Sequence, residues 1–222
     1  MKNMKLLKIL IGAIAIYGTL AQAQTDEERA EIGKSYMEKV SKKNKSYNTT
    51  KASFTFTIDN KQSNSKSNHK GTLWTKGNKY KLTLMDNITF FDGTTVCTWL
   101  VKDNEANISD VDENTEEMMG PLQLTSSFDK KYKMRYIDDT KISGTDCAEI
   151  DLYPIDRKTN IVRVRLTIDK KTSTIKRIMQ QGKDGTSYYV EIETFSANEN
   201  IPDKEFTFDP TQHTNVEVVD LR

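Results

Sequence analysis

The chain has 222 residues, with 33 Lys and Arg against 32 Asp and Glu and a formal net charge of +1. That is one domain, or at most two small ones, without the broad basic footprint of a nucleic-acid binder. Two Cys and two His leave too little material for a disulfide scaffold, a structural zinc site or most His-based catalysis, whereas two Trp, nine Tyr and eight Phe can anchor a core.

The first 23 residues read as a cleaved leader. Lys2, Lys5 and Lys8 make a basic start, residues 9–17 are apolar apart from Gly12, and Ala21-Gln22-Ala23 offers the small-x-small pattern of a cleavage site. The apolar run is shorter than the roughly 20 residues that span a bilayer, and no later stretch is long or apolar enough. The expectation is an exported, soluble protein that starts at Gln24. Neither Cys stands at the cleavage site, so it is not expected to be a lipoprotein itself.

Thr25 and Glu28 form a capping box, and Ile32, Tyr36 and Val40 recur at helical spacing with Met37 widening the stripe. This predicts a helix with one apolar face, ended by Lys42-Lys43-Asn44-Lys45. From Ala52 the period drops to two: Phe54, Phe56 and Ile58 alternate with polar residues. A Ser-, Asn- and Lys-rich stretch, 60–68, reads as a polar loop. Short strands follow at 71–75, 79–85, 88–91, 94–101 and 105–111, with Asp92-Gly93 as a two-residue type I′ hairpin turn. Acids at 112–117 break the pattern, and Met118, Met119, Leu122 and Leu124 around Gly120-Pro121 suggest a second, short helix. Strands resume at 132–137, 146–153, 161–169, 175–181 and 186–195, with Asp138-Asp139 placed at a turn and a short tail strand over 216–221. About eleven strands in successive hairpins predict an antiparallel meander, not βαβ units.

Catalytic motifs are missing. There is no nucleophile elbow, no paired metal-binding His and no glycine-rich phosphate loop. His69 and His213 read as exposed loop residues, and Asp110, Asp112 and Asn114 lack the Gly and closing Glu of a calcium loop. No cofactor and no metal are expected. Cys97 and Cys147 fall within predicted strands, and an exported protein permits a disulfide between them; two buried thiols are the alternative.

Three strand-and-turn pieces, Ala52-Ser53-Phe54-Thr55, Gly71-Thr72-Leu73-Trp74-Thr75-Lys76 and Phe91-Asp92-Gly93-Thr94-Thr95, are joined by Ile150-Asp151-Leu152-Tyr153-Pro154 and Phe206-Thr207-Phe208-Asp209-Pro210. In that order and spacing they resemble the periplasmic outer-membrane lipoprotein carrier family, LolA. The resemblance runs from Ala52 to the C-terminus, over the greater part of residues 24–222. It implies a mainly β fold: an unclosed antiparallel β-barrel, or half-barrel, of about eleven strands whose apolar face is covered by an α-helical lid. It also implies a monomeric, non-enzymatic periplasmic carrier that takes acylated lipoproteins from an inner-membrane transporter to an outer-membrane receptor or membrane acceptor. One departure is Gly77, which stands where well-known members carry an Arg that fastens the lid, so that role is not carried over.

Under this reading the acyl-chain candidates are Phe54, Phe56, Leu73, Tyr80, Leu82, Leu84, Phe90, Trp99 and Leu166. The lid candidates are Ile32, Tyr36, Met37 and Val40 on the first helix and Met118, Met119, Leu122 and Leu124 on the second. Alternation says which side chains share a face, not which face is concave. A lipid- or lipoprotein-sensing regulatory module of the same architecture is the alternative; such sensors append a second domain, for which the chain has little room.

Overall fold

The computed structural model describes residues 24–110 and 128–222. The leader at 1–23 and the lid candidates Met118, Met119, Leu122 and Leu124 lie outside the described residues. Helix α1 (Asp26–Lys45) begins on the expected capping box: Thr25 Oγ1 accepts from the Glu28 amide at 3.1 Å, and Glu28 Oε2 accepts from the Thr25 amide at 2.8 Å. Three acids in its first turn and three Lys in its last oppose the helix dipole correctly. No helix among the described residues is long and apolar enough to cross a membrane.

Twelve strands follow among the described residues: β1 (Thr49–Asn60), β2 (Ser65–Lys76), β3 (Lys79–Leu84), β4 (Asn87–Phe91), β5 (Thr95–Leu100), β6 (Glu105–Asp110), β7 (Tyr132–Ile142), β8 (Thr145–Pro154), β9 (Ile161–Asp169), β10 (Ile175–Gly182), β11 (Thr186–Ala197) and β12 (Glu217–Asp220). A one-turn helix α2 (Phe128–Lys131) precedes β7. The strands form one unclosed sheet in the order β12-β6-β5-β4-β3-β2-β1-β11-β10-β9-β8-β7. All pairings are antiparallel except β12 on β6. That parallel pair exists because the chain leaves β11, crosses the sheet through two 3-10 turns and returns at the far edge. A sheet this wide and twisted is expected to curl.

Three local expectations are corrected. The polar stretch 60–68 is not a loop: β1 and β2 stay paired to Asn60 and Ser65, and only a tight turn separates them. Asn60 Oδ1 accepts from the Gln62 and Ser63 amides at 2.9 Å, and Thr57 donates to Asn68 Oδ1 at 2.7 Å, so the hairpin tip is held by polar pairs. Asp138-Asp139 is not a turn but part of β7, just past a register shift between Tyr136 and Asp138. Asp92-Gly93 opens a three-residue connection in which Asp92 Oδ1 accepts from the amides of Thr94 and Thr95, both at 2.9 Å.

Candidate functional site

Residues opposed across a ladder share a face, so the registers sort every side chain onto one of two surfaces. The first surface carries Leu84, Leu82 and Tyr80 of β3, then Leu73 of β2 and Phe54 and Phe56 of β1. It continues through Val190 and Ile192 of β11, Ile178 of β10, Leu166 and Val164 of β9, Ile150 and Leu152 of β8, and Met134 and Tyr136 of β7. All belong to one hydrophobic cluster with Met37 and Val40 of α1. This is the inner face, and α1 lies on its β7–β8 side.

Close approach fixes that docking. A Cβ added at Gly33 would stand 3.2–3.3 Å from backbone atoms of Arg135 and Tyr136, so the helix backbone sits directly on β7. Met37 and Val40 are fully buried, and Tyr36 stacks with Tyr136 at 6.5 Å between ring centroids. Ile32 is only half-buried and outside the cluster. Two polar fasteners had no signal in the sequence. Arg29 donates to the Ile137 carbonyl at 2.8 Å, where the bulge frees that edge of β7, and Asp26 pairs with Arg135 at 2.9 Å. The helix is thus tied down at the β7 edge, far from Gly77 between β2 and β3.

Of the nine acyl-chain candidates, seven stand together on the inner face: Phe54, Phe56, Leu73, Tyr80, Leu82, Leu84 and Leu166. Phe90 and Trp99 do not. Phe90 is opposite Lys81 and Cys97, and Trp99 is opposite Ile88 and Ala106, which places them on the outer face. They form a second cluster with Ile108, Phe208 and Val216. The inner aromatic of β4 is Phe91, opposite Tyr80, which sequence reasoning passed over because two adjacent Phe leave the parity of the strand undecided. Phe54 also shapes the inner face: its ring lies over Gly71, where an added Cβ would stand only 2.4 and 2.5 Å from two ring carbons.

The inner face has a polar margin. Across from Leu82 the ladder runs Thr89, Thr98, Asn107, with the two Thr hydroxyls 3.3 Å apart and Asn107 donating to Glu105 at 2.7 Å. Val96, opposite Phe91, stays buried on the inner face, but along this ladder the apolar residues beyond β4 move to the outer side. There the C-terminal segment covers them. Phe206 is fully buried, Phe208 packs on Phe90 at 5.8 Å, and His213 lies 4.0 Å from Trp99 between ring centroids, so His213 is half-buried and not an exposed loop residue. His69 likewise lies in β2, not in a loop. The segment is clasped to the sheet by Asp203 on Lys76 and Lys79 (2.6 and 2.8 Å) and by Glu205 on Lys81 (3.1 Å). The two Lys hold the Asp203 carboxyl down at about 2.

The rest of the outer face is ionic. Asp151 is fully buried and accepts from Arg165 Nε and Nη2 at 2.6 and 2.9 Å, from Arg163 at 3.1 Å and from the Tyr153 hydroxyl at 3.1 Å. Burial pushes its carboxyl up, but these hydrogen bonds and charges outweigh burial and hold it below the usual range. The candidate disulfide is not formed. Cys97 and Cys147 are free thiols on β5 and β8, with seven strands between them in the sheet; burial alone raises the Cys97 thiol to about 11. Among the described residues no group of three or more His, Cys, Asp or Glu could hold a metal ion. A groove of about 940 Å³ beside the β7–β8 turn is lined by Asp139, Lys141, Asp146, Asp169 and Lys170, an ill-suited wall for an acyl chain.

An open sheet with one apolar face, a helix docked upon it and a strapped outer side is the architecture of a binding scaffold. The chain belongs to the family of the outer membrane lipoprotein carrier protein LolA, whose pattern it matches over residues 45–209. Its fold is similar to that of an uncharacterized conserved protein from Thermus thermophilus, at 10% identity and a TM-score of 0.58 over 84% of this chain and 98% of that one. A putative outer membrane lipoprotein-sorting protein domain from Vibrio parahaemolyticus aligns at 12% identity and TM-score 0.47, over 80% of this chain and 97% of that one. A LolA-superfamily protein from Nitrosomonas europaea aligns at 12% identity and TM-score 0.44, over 79% and 97%. No curated protein matches the chain.

Proposed function

We propose that residues 24–222 form one exported carrier domain that holds the acyl chains of lipoproteins against the inner face and escorts them between membranes. In this reading the leader is removed after Ala23 and the protein works as a monomer in the periplasm. It receives cargo from a lipoprotein-releasing transporter of the inner membrane and delivers it to a receptor or to the outer membrane itself. The observation that carries the reading is the unbroken apolar surface from β3 through β1 and β11 to β7, bearing only one docked helix among the described elements. Each buried CH₂ contributes about 0.8 kcal/mol, so an acyl chain needs area and not a catalytic group. Membership of the carrier family supports the same conclusion.

Release requires a competing state. With cargo absent, α1 packs Met37 and Val40 into the floor. Cargo must displace part of that packing, and its apparent affinity is lowered by the cost of opening. A carrier gains from that penalty, because cargo is held and still surrendered. The test is to load the protein with a fluorescent fatty acid, compete with a triacylated lipopeptide, and follow transfer to acceptor vesicles. Saturable binding with transfer is expected. No saturable binding refutes the carrier, and binding without transfer to any acceptor favours the sensor.

A further inference from the structure

Tyr80 carries a hydroxyl that no described residue satisfies. The residue is 5% exposed, its ring lies 5.3 Å from that of Phe91, and its oxygen has no hydrogen-bond partner among the described residues. Its neighbour across β2, Thr75, is already paired with Thr50 at 2.7 Å. A buried hydroxyl without a partner is costly, and few native groups are left so. Burial raises the phenol to about 12, so it remains a neutral donor at any physiological pH.

Its position is as informative as its isolation. Tyr80 is opposite Phe91, and its ladder continues to Val96 and Ser109, while its inner-face neighbour Leu82 is opposite Thr89, from which the ladder runs to Thr98 and Asn107. Tyr80 thus stands on the apolar floor, and the polar margin begins diagonally from it, across from Leu82. An acylated glyceryl group has the same order of chemistry: hydrocarbon, then a carbonyl, then a polar head. Its carbonyl oxygen is an acceptor that loses water on burial and needs a donor.

We propose that Tyr80 is a specificity residue that donates to the carbonyl oxygen of an ester- or amide-linked acyl chain, fixing where the chain ends and the head group begins. This deepens the carrier reading and rests on it. It makes the protein a reader of acyl linkages and not of hydrocarbon alone.

The test compares two lipids of equal chain length, dipalmitoylglycerol and its di-O-hexadecyl ether, as competitors of a polyene hydrocarbon fluorophore bound to the mature protein. Wild type is expected to favour the ester about tenfold, the range of one neutral hydrogen bond. Tyr80→Phe is expected to erase that preference while leaving ether binding unchanged or tighter. The empty Tyr80→Phe protein is expected to melt at or above wild type, because an unsatisfied hydroxyl has been removed. Equal binding of both lipids by wild type, or an ester preference that survives in Tyr80→Phe, overturns the assignment and leaves the carrier standing. Binding of neither lipid overturns the carrier and the assignment together. A Tyr80→Phe melt several degrees below wild type shows that the hydroxyl is already partnered, and also overturns it.

Discussion

Asp151 is the residue at which the outer face can be tested most sharply. Its side chain is 1% exposed and takes four hydrogen bonds from Arg165, Arg163 and Tyr153. Asp151→Asn keeps the shape but removes the charge and one of the two acceptor oxygens, leaving two guanidiniums and a phenol to share one neutral carbonyl oxygen beside an amide NH₂ that cannot accept. Breaking a buried pair costs about 3–5 kcal/mol. Arg165 and Arg163 are 24% and 30% exposed, and Arg165 keeps Glu149 at 3.2 Å, so water and that second carboxylate recover part of the loss. The expected cost is therefore about 2–3 kcal/mol, or roughly 4–12 °C in Tm for a chain of this size. The pH dependence has a fixed sign. The folded pKa of Asp151 lies below its ordinary value, so the stabilisation is complete above about 4 and is lost as pH falls through the folded value. Urea titrations of wild type and Asp151→Asn at pH 7, 5, 4 and 3 should show a gap that narrows below pH 4. A gap under 0.5 kcal/mol at pH 7, or one that widens with acid, refutes the argument.

Two glycines give further tests. Gly71→Ala should lower stability by about 1–3 kcal/mol through overpacking against the Phe54 ring, and Phe54→Leu in the same chain should recover part of that loss in urea titration. Gly33→Ala would add about 1 kcal/mol of helix propensity in isolation, yet it should lower the melting temperature, because the added Cβ meets unyielding β7 backbone. Hydrogen exchange should then be faster in α1 than in β8–β9.

Strand existence was legible in the sequence where one face is apolar and the other polar. Val164, Leu166 and Ile168 alternate with Arg163, Arg165 and Thr167, and β9 spans the expected residues. The signal failed where both faces are alike. The tips of β1 and β2 are polar on both sides, so their pairing had no hydrophobic pattern to report it. Phe90 and Phe91 are apolar on both sides, so parity at β4 could be settled only by pairing Tyr80 with Phe91. The sheet also changes which side it buries. From β4 onward the outer face is covered by the segment around Phe206 and Phe208, a long-range contact that no local period encodes. Arg29 was equally silent, one cation among many on a charged helix until the bulge at Ile137 presents it with a carbonyl.

That change of side yields the decisive experiment on the site. Phe56 is a half-buried inner-face aromatic, stacked at 6.0 Å on Tyr188, so a polar replacement there should leave the fold standing. Phe56→Glu puts a carboxylate on the floor; burying it beneath an acyl chain requires protonation or lost contact, and binding should weaken at least tenfold, which is about 1.4 kcal/mol. Trp99→Ala should do the reverse. It removes an aromatic from the outer cluster, at about 3 kcal/mol of stability, while acyl binding per folded molecule should stay within about twofold, since the Trp99 ring faces Phe208 and His213 across the sheet from the floor. Fluorescent fatty-acid titration at a temperature where both variants are folded by circular dichroism separates the effects. If Trp99→Ala weakens binding as much as Phe56→Glu, the outer face holds the cargo and the assignment of faces is wrong.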